Sequence, residues 1–150
     1  MNERSFRHWT GLCALLACLV MLASAACSTG DSDGIASLSV TFSANPVARN
    51  YQGVWEYDVS LREAAGVGVQ IQGFTVSAYD AAGAFQGETF YSSGDFQNLF
   101  NTSSNYLPSG ETVTSDGLTV SGTPGYRIWK FSGRDDNGNE INVSARVTFI

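Results

Sequence analysis

From about residue 35 onward the chain predicts an all-β domain, for three reasons. Apolar and polar residues alternate with period two over most segments. Turn signals built from glycine, proline, asparagine and aspartate recur roughly every ten residues. Only residues 93–100 carry an apolar spacing suited to a helical turn. About seven antiparallel strands in about 115 residues suggest two packed sheets, a β-sandwich, in a single domain spanning 35–150. Closure into a barrel is the alternative, because strand count alone does not decide it.

Leu38, Val40 and Phe42 alternate with Ser37, Ser39 and Thr41 in a first strand that Asn45-Pro46 ends. Trp55, Tyr57, Val59 and Leu61 alternate with Glu56, Asp58, Ser60 and Arg62 in a second, with one core face and one wet face. After Ala65-Gly66, Val67, Val69 and Ile71 share a face. The apolar phase then slips at Gly73 to Phe74, Val76 and Ala78, which predicts a β-bulge. Ala81-Ala82-Gly83 turns into a fourth strand over 84–91. Ser93 or Asp95 is expected to cap the helical turn, with Phe96, Leu99 and Phe100 packed inward. Residues 101–110 form a polar loop. A fifth strand over 111–121 is interrupted at Asp116-Gly117. In the sixth, Arg127, Trp129 and Phe131 share one face, and Tyr126 and Ile128 the other. Asn137-Gly138 signals a hairpin into a last strand, where Ile141, Val143, Ala145, Val147 and Phe149 alternate with polar residues.

These residues carry a resemblance. VSAYDAAG at 76–83, LPSG at 107–110 and FSGRDDNG at 131–138 are similar to bacterial immunoglobulin-like and fibronectin-III-like modules of the FxLYD type. The likeness covers most of 35–150. It implies an immunoglobulin-like β-sandwich and no activity, since its motifs are turns and core positions. Trp55 fits the core tryptophan of such folds, and Tyr126 is placed to form a tyrosine corner. The cysteine pair of antibody domains is absent.

The N-terminal end predicts an address. Arg4 and Arg7 form a basic head, residues 10–22 are almost unbroken apolar, and Ala23-Ser24-Ala25-Ala26 are small. That is a signal peptide over 1–26. The apolar run is short for a membrane span. Cys27 directly after the small residues resembles the lipobox of bacterial lipoproteins, with Ser24 where leucine is commonest. The resemblance implies acylation at Cys27, and Ser28 implies sorting to the outer membrane of the cell envelope. Two alternatives stand beside it: plain secretion after Ala23-Ser24-Ala25, and a rival lipobox ending at Cys18. Residues 27–34, small and acidic, are expected to be a flexible tether.

Composition narrows the chemistry. Glu3, Arg4 and Arg7 leave with the signal peptide, which takes the net charge from −6 to −7. With no basic patch, nucleic acid is not an expected partner. The only histidine is His8, and the cysteines are Cys13, Cys18 and Cys27. The mature domain therefore has no imidazole or free thiol for Ser-His-Asp, Cys-His or His/Cys-metal chemistry, and no cofactor is expected. Glu56 and Asp58 share a strand face at a glycosidase-like separation, but so do many solvated strands. An enzyme is not expected.

Two candidate sites remain. Asp135, Asp136, Asn137 and Asn139 concentrate oxygen atoms as a calcium loop would, but fail the EF-hand spacing. A hairpin turn is the preferred reading. Tyr51, Tyr106 and Tyr126 are candidate ligand-contact aromatics, while Trp55 and Trp129 read as core. The expectation is a membrane-anchored, non-catalytic lipoprotein that binds a protein partner, with a glycan or peptidoglycan as the alternative ligand. Coplanar exposed rings on one surface would favour sugar.

Overall fold

The structure, a computed structural model, describes residues 34–150. The signal peptide and Cys27 lie outside the described residues. Eleven elements follow in order: β1 Leu38–Phe42, β2 Trp55–Tyr57, β3 Val59–Glu63, β4 Val69–Asp80, β5 Phe85–Ser92, α1 Ser93–Phe100, β6 Tyr106–Leu107, β7 Thr112–Thr114, β8 Leu118–Val120, β9 Pro124–Asp135 and β10 Glu140–Thr148. They form an immunoglobulin-like β-sandwich with open sheets, not a barrel. One sheet runs β10-β9-β4-β5, with β6 added to the start of β4. The facing layer is β1-β3-β7, continued by the pair β2-β8. All named strand pairs are antiparallel.

Strand count exceeds the predicted seven because two predicted strands break in the middle and because β6, paired with the start of β4, lies in the stretch 101–110 expected to be a polar loop. The second divides at Asp58 and the fifth at Ser115–Gly117, side by side. There Ser115 replaces ladder contacts with its own: Val59 N–H donates to its hydroxyl at 2.9 Å and its N–H donates to Val59 C=O at 2.9 Å. The bulge expected near Gly73 is present as a register shift between Ile71 and Gly73. Gly73 has no room for a side chain, since an added Cβ would press on the Tyr91 carbonyl and the Phe90 ring.

The N-cap is one residue before Ser93 and three before Asp95, the two expected caps. Ser92 is the N-cap, and Asp95 completes a capping box: Asp95 N–H donates to Ser92 Oγ, and Ser92 N–H donates to Asp95 Oδ2 at 2.7 Å. Asn101 ends the helix in the left-handed conformation at φ 50°. Phe96 and Phe100 are buried, and Phe100 meets Phe131 across 6.0 Å.

The core has two aromatic layers. On the large sheet, Phe74 stacks on Tyr91 at 4.6 Å, Phe131 at 5.2 Å and Trp129 at 5.6 Å. On the facing layer Tyr57 meets Phe149 at 5.6 Å and Phe42 at 6.1 Å, edge to face. Glu63 is fully buried at the end of β3. Its carboxylate accepts backbone N–H groups from Ser37, Ala65, Gly66 and Gly110. It gathers β1, the 64–66 turn and the 108–110 loop onto one anion.

Candidate functional site

The predicted site residues do not converge. Tyr51 is 97% exposed in the turn before β2. Tyr106 lies against Gly68, and its hydroxyl donates to Asp136 Oδ2 at 2.8 Å. That bond to an anion raises the Tyr106 pKa, with burial adding a smaller push. Tyr126 belongs to the outer face of β9, half-buried. It stacks on Tyr79 at 4.4 Å, and the Arg146 guanidinium lies 3.6 Å from its ring centroid. Tyr126 is therefore no tyrosine corner: its ring is held across the strands by Tyr79 and Arg146. Its faces are also covered, which leaves no free platform for a sugar. Tyr106 pairs with Gln70 and Tyr126 with Tyr79, at opposite ends of β4, so these two rings share no surface.

Asp135 serves its turn. Oδ1 accepts the N–H groups of Asn137 and Asn139, at 3.0 and 2.7 Å. Oδ2 accepts Ala36 N–H at 3.1 Å and Asn139 Nδ2 at 3.0 Å. Burial pushes this carboxyl up, but the hydrogen bonds more than reverse it and hold the pKa below the ordinary value. Asn137 Nδ2 donates to Gly34 C=O at 2.7 Å. The four residues thus fasten the entering chain to the β9–β10 hairpin. No group of three or more metal-ligating His, Cys, Asp or Glu side chains occurs among the described residues.

Two surfaces emerge that the sequence reading did not single out. The first is β5, which pairs with β4 on one side and with no strand on the other among the described residues. Phe85 and Phe90 are 60% and 67% exposed. A chain of rings runs inward from Phe85 to Tyr79, at 5.5 Å, and on to Tyr126. An edge strand with bare phenylalanines is what a soluble sandwich usually avoids.

The second is a cleft of about 470 Å³ where α1 spans the gap between β5 and β8. Its apolar wall is Phe74, Val76, Tyr91, Leu99, Leu118 and Trp129. Asp95, Asn98, Thr119 and Arg127 supply its polar groups. Arg127 reaches it because it occupies the inward phase of β9, in step with Trp129 and Phe131. An arginine at an apolar position of a strictly alternating strand is the sequence signal that marks this site.

No protein-family profile matches the chain, and no curated protein does. Solved structures do. One is a Bordetella pertussis protein designated ApaA, at TM-score 0.50 and 15% identity, covering 77% of this chain and 94% of that one. Another is a CARDB domain from Pyrococcus furiosus, solved in complex with di-metal ions, at TM-score 0.34 and 17% identity, covering 77% and 90%. At such identities a structural likeness speaks to fold alone.

Proposed function

We propose that this chain is a non-catalytic envelope lipoprotein, anchored through acylated Cys27, that docks a partner protein by strand addition to β5. The carrying observation is the open β5 edge with Phe85 and Phe90 exposed beside it. An added strand gains main-chain hydrogen bonds along the edge, and side-chain pockets set its specificity. Covering each phenylalanine contributes about 1.5–3 kcal/mol. The lipoprotein assignment, and its outer-membrane address, rest on the apolar run, the small residues and Cys27-Ser28. The non-catalytic assignment rests on a mature chain without imidazole or free thiol. The FxLYD-type resemblance is part of the same reading.

The test places a photo-reactive amino acid at Phe90 in cells of the native organism, with Glu140 on β10 as the control position. One dominant protein adduct from position 90, absent from 140, is expected. A glycan or peptidoglycan adduct without protein would transfer the reading to a glycan-binding module, and equal adducts from both positions would remove the β5 assignment.

A further inference from the structure

The inner end of the cleft is rich in donors. Arg127 lines it half-buried, and among the described residues its guanidinium joins no ion pair. Trp129, also in the lining, is 3% exposed, and its indole N–H has no hydrogen-bond partner. Tyr57, on the facing β2, is 1% exposed, and its hydroxyl has none either. These three belong together. Burial raises the Tyr57 pKa, while the Arg127 charge and the Arg127 and Trp129 donors beside the hydroxyl oxygen oppose that push. Buried polar groups are nearly always paired, and the Trp129 indole N–H, which lines the cleft, has no partner in good geometry. An indole N–H and a guanidinium can only donate; the Tyr57 hydroxyl oxygen beside them can accept, but it carries no charge to match Arg127. What the cleft lacks is an anionic acceptor.

We propose that the cleft binds a monocarboxylate with an apolar body, its carboxylate on Arg127 and turned toward the Trp129 N–H. Guanidinium and carboxylate match in shape and pair bidentately. A single cation, with Asp95 on the rim of an acidic domain, suits one negative charge and disfavours a phosphate dianion. The aromatic and leucine walls take the body, and a volume of about 470 Å³ lies within the usual range for small-ligand sites. The carboxylate can belong to a free small acid or to the C-terminus of a peptide. This site is separate from the β5 edge and does not depend on strand docking.

The experiment uses the full chain in neutral detergent with its three tryptophans labelled with nitrogen-15. The Trp129 indole signal is identified by Trp129→Phe. 3-Phenylpropanoate and its amide, then a short peptide ending in phenylalanine as free acid and as amide, are titrated into the roughly millimolar range. Saturable movement of the Trp129 signal by an acid is expected, with the matching amide weaker by about tenfold or more. Arg127→Gln removes the same preference. A peptide acid binding tighter than phenylpropanoate identifies a protein C-terminus as the source, and the reverse order identifies a free acid. The proposal is overturned if neither acid moves the Trp129 signal, or if acid and amide bind alike. The acid–amide comparison on the unaltered chain decides this even if the Arg127 variant fails to fold.

Discussion

Replacing Glu63 by glutamine preserves shape and removes one charge, so its cost is calculable from four distances. Oε1 accepts Ser37 N–H at 3.2 Å and Ala65 N–H at 2.7 Å; Oε2 accepts Gly66 and Gly110 N–H, each at 2.9 Å. An amide keeps one acceptor oxygen and aims its NH₂ at two of these donors. Two hydrogen bonds to a charged group, at about 1.5–3 kcal/mol each, set the loss at about 3–6 kcal/mol. That is a large share of the roughly 10 kcal/mol expected for a domain of this size, and corresponds to a Tm lower by about 10–20 °C. Urea and thermal unfolding followed by circular dichroism at pH 7 measure it. Acidification supplies a second, independent reading. Burial pushes the Glu63 carboxyl up and the four N–H groups more than reverse that, so its folded pKa lies below the ordinary 4.5. A depressed folded pKa contributes stability that is complete above the unfolded value and is lost as pH falls through the folded one. The gap between the native chain and Glu63→Gln is therefore full at pH 7 and closes below about pH 4.5. A loss under about 1 kcal/mol, or a gap independent of pH, would refute the argument that one anion organises this end.

Three further outcomes are expected. Gly125→Ala drives a Cβ into the Asp80 carbonyl and the Ala81 nitrogen, backbone atoms that cannot step aside, and should cost about 3 kcal/mol or more in urea unfolding. Ser92→Ala removes the half of the capping box made by the Ser92 hydroxyl, leaves the Ser92 N–H bond to Asp95, and should cost about 1 kcal/mol, with faster amide exchange at Asp95. Cys27→Ser should abolish incorporation of labelled palmitate, whereas continued labelling would move the anchor to another residue such as Cys18.

Alternation made most of the sandwich legible. The last strand, read from Ile141 to Phe149, is β10 with one residue's difference at each end, because every second side chain there faces the core. The slip at Gly73 was legible as a bulge for the same reason. The interruption at Asp116-Gly117 was legible too, but the matching break at Asp58 was not: it arises from paired strands stepping together, a relation between residues distant in sequence. The polar loops around Tyr51 and Tyr106 did predict their exposure, at 97% and 38%, but not whether a ring is free of contacts. Tyr126 is covered by Tyr79 and Arg146, from two other strands, and Tyr106 is tied to Asp136. For the cleft, half of the signal was in the sequence. Arg127 falls in the phase of Trp129 and Phe131, but only the fold brings Tyr57 beside them. The edge position of β5 was not legible at all, since a strand's neighbours are set by topology and not by its own residues.

The anchoring of the entering chain has a mechanical consequence. Ala36 is fastened to Asp135 at one end of β9, and Phe149 N–H donates to Gly125 C=O at the other. The separation along the strand is roughly 33 Å at about 3.3 Å per residue. Tension applied between these points runs parallel to the strands, so neighbouring ladders must slide past one another as a block. Tension applied sideways through β5 opens its ladder to β4 one bond at a time. Single-molecule extension from residues 36 and 149, compared with extension from 90 and 149, should give a high single rupture in the first geometry and a lower, gradual one in the second. The domain resists tension along its strands and yields first at the β5 edge.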